Sequence, residues 1–182
     1  MRILFAGHGP VADSCRKILA SYGQSIRWED FAYANPAEPW DLLMSVHWKD
    51  KIDKAVLSQM KYGGLNLHNS YLPWNKGADA CTWAIIDKTP HGATMHWMND
   101  GFDDGDIFVQ FLLDVRPYDT TDTLYKRTAE LEVKLFGFAL EEFMAGNRVR
   151  IPQVGNGTRH YKKDFERLER AMTTNRCRVI HV

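Results

Sequence analysis

The chain has 182 residues, of which 45% are hydrophobic and 25% are charged, and its formal net charge is zero. This balance is typical of one folded α/β domain, and it excludes a disordered chain as well as a strongly basic nucleic-acid binder. The cysteines are few and widely separated, which fits neither a disulfide framework nor a zinc site, and no apolar run approaches a membrane span. The composition therefore predicts a cytoplasmic protein.

The first half of the sequence alternates short apolar runs with amphipathic stretches, which predicts strands that alternate with helices. The predicted strands span residues 2–6, 26–31, 42–46 and 65–68, and the predicted helices span residues 11–22, 52–60 and 78–87. Residues 33–39 (YANPAEP) are predicted as a loop because prolines interrupt any helix there. This alternation favours a largely parallel sheet with right-handed crossovers.

The second half predicts a pair of strands, a long helix and a polar tail that ends in a surface helix. The predicted elements are neighbouring strands at 92–98 and 106–113 around an acidic turn at 99–105, and a helix at 120–145. Thr120 or Thr121 can cap this helix, and Gly146 follows its end. We expect one domain over residues 1–150 and a C-terminal extension over residues 151–182 that packs on it.

Residues 7–12 (GHGPVA) follow a strand and precede a helix, as in the G-x-G-x-x-A motif of dinucleotide-binding folds. The acidic pair Glu29-Asp30 follows at a spacing that suits a contact to ribose. However, the segment after this pair lacks the helix that the second unit needs, and strand–glycine–helix turns occur wherever a parallel sheet begins. A tight first crossover is therefore the favoured interpretation.

None of His47, His68, His91 and His96 has a second ligand at a spacing typical of metal sites, so no metal is expected. His96 alternates with apolar residues on its strand, which predicts a buried and hydrogen-bonded side chain. His47 and His91 are predicted as surface or loop histidines.

Asn66 and His68 are two residues apart in an apolar strand, so their side chains project from the same face. They stand at the carboxyl end of that strand, where open α/β sheets bind ligands. An amide can donate to a developing oxyanion, and a histidine can transfer a proton near neutral pH. The acidic turn supplies candidate partners for the imidazole, namely Asp100, Asp103, Asp104 and Asp106.

Residues 66–77 (NLHNSYLPWNKG) resemble the N-x-H-x-S-x-L-P signature of the formyltransferases that use 10-formyltetrahydrofolate. Residues 92–110 (GATMHWMNDGFDDGDIFVQ) resemble the second signature of that family, which is a strand, an acidic D-x-G loop and another strand. Asp103 stands in the place of the family's catalytic aspartate, and Gly105 stands in the place of its glycine. Two signatures in the right order are more specific than either one alone.

Residues 70–97 (SYLPWNKGADACTWAIIDKTPHGATMHW) are similar to the sugar N-formyltransferases within that family. The resemblance implies an α/β, Rossmann-like formyltransferase fold, in which helices flank a central, mostly parallel but mixed sheet. The sequence before Asn66 is short for the family, and the loop at 33–39 stands where a helix is expected. There is no room for the additional C-terminal domain of methionyl-tRNA formyltransferases, so tRNA is not the expected substrate.

The resemblance also implies which residues do the chemistry. Asn66 would donate to the oxyanion, His68 would accept the proton of the attacking amine, and Asp103 would hold His68. The residues expected around the flat pteridine of the folate are Trp48, Lys51, Ile52, Asn99, Asp100, Gly101 and Phe102. The residues expected beside the amine acceptor are Ser70, Tyr71, Trp74, Asn75, Lys76 and Gly77.

The sequence thus predicts an enzyme that moves the formyl group of its co-substrate, 10-formyltetrahydrofolate, to the primary amine of a nucleotide-linked amino sugar. The alternatives are another small amine, such as glycinamide ribonucleotide, and a non-catalytic folate- or nucleotide-binding module. We expect small-molecule substrates and no nucleic acid or membrane partner. Apolar residues of the strand at 106–113 or of the long helix are candidates for a homodimer interface.

Overall fold

The computed structural model describes residues 1–22, 25–27 and 40–179, without the side chains of residues 25–27 and 171–179. Most of the predicted strand at 26–31, the predicted loop at 33–39 and the acidic pair Glu29-Asp30 lie outside the described residues. Within the described part of the chain, no helix has the length and the apolar character needed to cross a membrane.

The described elements follow the predicted order and type, with boundaries that differ by a few residues. The strands are β1 (Ile3–Gly7), β2 (Ser25–Arg27), β3 (Leu42–Val46), β4 (Gly64–His68), β5 (Lys76–Gly77), β6 (Gly92–Trp97), β7 (Ile107–Leu112) and β8 (Arg159–His160). The helices are α1 (Gly9–Ser21), α2 (Lys54–Leu57), α3 (Ala80–Asp87), α4 (Thr121–Met144) and α5 (Lys162–Val179). The short strands β5 and β8 have no counterpart among the predictions.

Six strands form one sheet in the order β2-β1-β3-β4-β6-β7. β1 is parallel to β2 and β3, and β3 is parallel to β4, whereas β6 is antiparallel to both β4 and β7. The predicted α/β fold with a mostly parallel, mixed sheet is therefore confirmed. Because parallel strands end at one edge, the residues that follow β1, β3 and β4 lie side by side there.

Alternation of side chains gives this sheet two apolar faces. Met44 and Leu65 belong to the larger buried cluster, to which α1 and α4 also contribute. Leu43 belongs to a smaller cluster on the opposite face, where the loop after β3 packs. Ser45 and Asn66 are neighbours in the β3–β4 ladder and continue this second face toward the carboxyl edge. The sheet therefore becomes polar on that face as it reaches its carboxyl edge.

α4 begins with a reciprocal capping box and carries one charged residue on its buried side. Thr120 Oγ1 accepts from the N–H of Thr123 over 3.2 Å, and Thr123 Oγ1 accepts from the N–H of Thr120 over 2.9 Å. The prediction of Thr120 as the cap is confirmed. Glu132 lies among the buried apolar residues of this helix, which requires a compensating partner for its charge.

The C-terminal segment contacts the rest of the chain at several points. Ile151 exchanges backbone hydrogen bonds of 2.8 and 3.0 Å with Ile107 at the start of β7, and β8 pairs with β5. At Gly157 (φ +59°), an added Cβ would lie 2.0 Å from the carbonyl oxygen of Pro73, so this position admits only glycine. The division between a domain and an extension at residue 150 stays a prediction.

The close approach of Gly157 to Pro73 predicts that an alanine at this position displaces the C-terminal segment. Gly155 (φ +84°) is a matched control, because a Cβ added there meets nothing within 4 Å. The left-handed backbone alone should cost about 1–2 kcal/mol at either position. Gly157→Ala should therefore lower the melting temperature more than Gly155→Ala and should make the α5 segment more sensitive to trypsin. Equal effects of the two substitutions, measured by calorimetry and limited proteolysis, would contradict a role for this contact.

Candidate active site

A cleft of about 1110 Å³ opens at the carboxyl ends of β3 and β4. Asn66 and His68 line it from the sheet, and Asp103 lines it from the acidic loop that precedes β7. The loop after β3 and the first turns of α5 also contribute to its walls. The structure therefore brings together the three residues expected to be catalytic, although they come from two distant segments of the chain.

Asn66 is oriented by a histidine on the neighbouring strand. Asn66 and His96 are opposite each other in the antiparallel β4–β6 ladder, so their side chains meet. His96 Nδ1 donates to the carbonyl of Trp97 over 3.0 Å, and Asn66 Nδ2 donates to His96 Nε2 over 3.1 Å. Because a carbonyl only accepts, Nδ1 carries the proton and Nε2 is the acceptor. The second N–H of the Asn66 amide is left to serve a ligand.

His68 is buried at the end of β4, and its Nε2 is engaged by protein groups. Nε2 donates to the carbonyl of Asn75 over 3.0 Å and lies 3.8 Å from Asp103 Oδ2. The proton of the neutral ring is therefore on Nε2, and the lone pair is on Nδ1. This tautomer makes Nδ1 the atom of His68 that can take up a proton.

Asp103 is a carboxylate held from several directions. Its Oδ2 accepts from the N–H of Gly77 over 2.8 Å, and its Oδ1 lies 3.4 Å from His96 Nε2. Burial acts to raise the pKa of Asp103, but the positive charges that His68 and His96 carry when protonated, the hydrogen bond that a protonated His96 donates and the Gly77 N–H outweigh burial and hold that pKa well below its usual range. Asp103 is therefore ionised at neutral pH.

The loop that carries Asp103 is fixed by glycine and by the C-terminal segment. Asp103 has a left-handed backbone (φ 55°), which aspartate tolerates better than most residues. A Cβ on Gly105 would lie 1.7 Å from the carbonyl oxygen of Trp97, which explains why the loop needs glycine there. Gln153 Nε2 donates to the carbonyls of Asp103 and Gly105, each over 2.8 Å. No pattern in the sequence indicated Gln153, because its partners are remote along the chain.

Most residues expected around the pteridine do line the cleft. They are Trp48, Lys51, Ile52, Asn99, Gly101 and Phe102. Trp48 stacks on His8, with ring centroids 4.6 Å apart. Asp100 instead forms an exposed ion pair with Lys54 at 3.1 Å and does not line the cleft. The contact of these residues with a folate stays a prediction.

The residues expected beside the acceptor are mostly elsewhere. Gly77 lines the cleft, whereas Ser70 and Asn75 are buried, and Asn75 is bonded to Thr89 and Thr158. Lys76 Nζ is 2.7 Å from Asp104 Oδ1. Tyr71 and Trp74 are half-buried and lie outside this lining. Several of these side chains thus hold the turn itself in place, and the contact of this turn with an acceptor stays a prediction.

His47 and His91, predicted as surface or loop histidines, both lie in loops, but each side chain has a hydrogen-bond partner inside the fold. His91 is 1% exposed with Nε2 2.9 Å from Thr128 Oγ1, and burial lowers its pKa to about 4. His47 directly follows β3 with φ 52°, and its Nε2 is 2.8 Å from Glu132 Oε1. Burial acts to lower the pKa of His47, but the hydrogen bond and the charge of Glu132 raise it above its usual value. The partners are remote in sequence, so periodicity could not indicate them.

Comparison with known proteins identifies relatives of the whole described fold. The family model described as formyl transferase matches residues 24–140. The structure of the formyltransferase PseJ from Anoxybacillus kamchatkensis, in complex with UDP-4,6-dideoxy-4-formamido-L-AltNAc and tetrahydrofolate, is 30% identical with a TM-score of 0.80. The match covers 92% of this chain and 89% of the PseJ chain.

Curated relatives match over a smaller part of their length. Methionyl-tRNA formyltransferase of Methylacidiphilum infernorum is 39% identical over 128 residues, which are 70% of this chain and 40% of the relative. The dTDP-4-amino-4,6-dideoxyglucose formyltransferase of Mycobacterium bovis is 30% identical over 140 residues, which are 75% of this chain and 58% of the relative. This chain thus spans about half the length of such relatives or less.

The His47–Glu132 pair predicts a stability that depends on pH. A raised pKa of His47 in the folded state gives a stabilising contribution that is complete below about pH 6.5 and is lost as the pH rises through the folded value. The unfolding free energy should therefore fall as the pH rises above about 6.5, and it should fall less in Glu132→Gln. Urea unfolding at several pH values measures this, with Glu130→Gln on the exposed side of α4 as the control. A wild type and a Glu132→Gln variant with the same pH slope would contradict the coupling.

Proposed function

Because the chain belongs to the formyl transferase family, we propose that it transfers the formyl group of 10-formyltetrahydrofolate to the primary amine of a nucleotide-linked amino sugar. The observation that carries the proposal is the convergence of Asn66, His68 and Asp103 on one cleft. An amide donor, a histidine with a defined tautomer and an ionised carboxylate are the groups that transfer of an acyl group between nitrogen atoms requires.

The proposed reaction forms one C–N bond and breaks another. The amine nitrogen attacks the formyl carbon, and the formyl oxygen becomes an oxyanion in a tetrahedral intermediate. The bond to the folate nitrogen then breaks, and that nitrogen gains the proton that the amine gives up. Asn66 would donate its remaining N–H to the oxyanion, a contact worth about 2.7–4 kcal/mol in comparable sites. The steps use no metal ion.

His68 and Asp103 would carry out the proton transfer. The amine must lose a proton as it attacks, and Nδ1 of His68 has the lone pair that can accept it. The ring becomes cationic when it does so, and the nearby carboxylate of Asp103 stabilises that cation. The carboxylate is also fixed by the N–H of Gly77, so it need not reorganise during the reaction.

The choice of a sugar acceptor is supported by the extent of similarity. The Anoxybacillus complex, which contains both a UDP-linked formamido sugar and tetrahydrofolate, is matched over 89% of its length. The match to the methionyl-tRNA formyltransferase covers only 40% of that enzyme. The formal net charge of zero also offers no excess of positive charge for a nucleic acid, whose phosphates dominate binding.

The proposal predicts turnover that depends on all three residues. Purified protein should consume 10-formyltetrahydrofolate in the presence of dTDP-4-amino-4,6-dideoxyglucose or of the UDP-linked 4-amino sugar that corresponds to the Anoxybacillus ligand. Asn66→Ala, His68→Ala and Asp103→Ala should each lower kcat by about 100-fold or more. The release of tetrahydrofolate, followed by absorbance, and mass spectrometry of the sugar measure the reaction.

Asp122→Ala, an exposed change on α4, is the control and should keep the wild-type rate. Full activity of His68→Ala would overturn the proposed mechanism. Turnover with glycinamide ribonucleotide, and with no amino sugar, would show that the acceptor is another small amine. Tight binding of folate without turnover on any amine would instead indicate a binding module.

A further inference from the structure

Glu132 is a buried charge that the proposed chemistry does not use. Its side chain is 0% exposed, Oε1 is 2.8 Å from His47 Nε2, and Oε2 has no hydrogen-bond partner among the residues that the structure describes. A buried carboxylate is unfavourable unless an opposite charge compensates it. Burial raises the pKa values of the Cys15 and Cys81 thiols, and the charge of Glu132 raises them further. Both thiols are therefore neutral, and neither can compensate the carboxylate. The group placed to compensate it is His47, whose protonated form the hydrogen bond and charge of Glu132 favour.

The backbone of His47 explains how its side chain reaches α4. Alternation would place residue 47 on the same face as Ser45, which is the face opposite α4. The left-handed conformation of His47 breaks the alternation and allows the ring to meet Glu132 instead. The ring still lines the cleft, with a side-chain exposure of 23%. Nδ1 has no hydrogen-bond partner in the described part of the chain, so the protonated ring offers its second N–H to a ligand.

His47 lies on the side of the cleft that the pteridine is not expected to occupy. Trp48 and Ile52 pack with the small apolar cluster on one face of the sheet. Glu132 comes from α4, which packs on the opposite face. Tyr125, which also lines the cleft, is on the same helix two turns before Glu132. His47 and Tyr125 thus border the part of the cleft left for the acceptor.

We propose that His47, held by Glu132, donates a hydrogen bond to an oxygen atom of the amine-bearing substrate and so contributes to its selection. The oxygen belongs to a sugar hydroxyl or to a phosphate, since either accepts from an imidazolium N–H. This proposal rests on the proposed function. Glu132 is a positioning residue, because it acts through His47. A role of His47 as the base is disfavoured, since its carboxylate partner favours the protonated ring.

Isothermal titration calorimetry tests the proposal with defined probes. Folinic acid, whose formyl group is on a different nitrogen, reports binding of the folate. dTDP-4-amino-4,6-dideoxyglucose and dTDP, added to the folinic acid complex, report binding of the acceptor. The proteins are the wild type, Glu132→Gln, His47→Gln and His47→Ala, with Glu130→Gln as a matched control on the exposed side of α4. Thermal unfolding establishes that each variant is folded.

Glu132→Gln and His47→Ala should raise the Kd of the amino sugar nucleotide by about 10-fold, because a charged donor is lost. His47→Gln should raise this Kd by a smaller factor, since the glutamine amide can still donate a hydrogen bond. The Kd of folinic acid should stay within about 2-fold of wild type, and Glu130→Gln should match the wild type in both titrations. In turnover assays, the same variants should raise the acceptor KM and leave kcat nearly unchanged. A similar rise in the Kd of dTDP and of the amino sugar nucleotide assigns the oxygen to phosphate, and a rise for the amino sugar nucleotide alone assigns it to the sugar.

An unchanged acceptor Kd in folded Glu132→Gln and His47→Ala would overturn the proposal. A rise in the Kd of folinic acid would also overturn it, because His47 would then belong to the folate side. A loss of kcat in His47→Gln with normal acceptor binding would make His47 a base. If the wild type turns over amino sugars and these variants behave normally, only this proposal fails. If the wild type neither binds nor formylates an amino sugar, the proposed function itself is wrong, whatever the variants show.

A measurement on the wild type avoids dependence on the folding of variants. Nitrogen-detected NMR of the histidine rings should show His47 protonated on both nitrogens at neutral pH. Addition of the amino sugar nucleotide should shift the His47 Nδ1 resonance, whereas folinic acid alone should leave it in place. A neutral His47, or an Nδ1 resonance that responds to folinic acid only, would contradict the proposal.

Discussion

The carboxylate of Asp103 receives contacts from three separate parts of the fold, namely the backbone N–H of Gly77 on β5, His68 at the end of β4 and His96 on β6. Each contact depends on a different feature of the sequence. The β4–β6 register sets His96 opposite Asn66, β4 ends at His68, and the turn before β5 brings the Gly77 N–H inward. Because these groups share one carboxylate, the position of Asp103 also determines how Asn66 and His68 are arranged.

This arrangement is held by contacts within the protein itself. The Asn66 amide is oriented by His96, and His96 is itself oriented by the Trp97 carbonyl. Groups held in this way stabilise a developing charge without reorganisation, and they do so in a site where burial strengthens electrostatic interactions. The same burial makes uncompensated charge unfavourable, which is why His47 is paired with Glu132 at the neighbouring strand end. The carboxyl edge of the sheet thus holds two carboxylate–histidine systems on opposite sides of one cleft.

The sequence was informative where local periodicity or a family signature determines structure. β3 and α4 were predicted almost to the residue, because apolar alternation and a threonine cap are local signals. The three catalytic candidates followed from two signatures, and the cleft brings them together. Contacts between remote residues were not predictable: Gln153 bonded to the Asp103 loop and Glu132 bonded to His47 have no signal in spacing. The sequence also could not show that Ser70 and Asn75 of the turn at 70–77 are buried, because buried structural polar residues and ligand-facing ones have the same composition.

The C-terminal segment joins the acidic loop to the turn before β5. Gln153 donates to the backbone of the acidic loop, while Thr158 accepts from the N–H of Asn75 and donates to its side-chain oxygen. The first turns of α5 then line the cleft themselves. A ligand that contacts both the loops and this segment binds the docked arrangement only, so its binding free energy must add to the stability of docking. Order in the C-terminal segment would then be coupled to the affinity for such a ligand, although none of the signature residues lies in that segment.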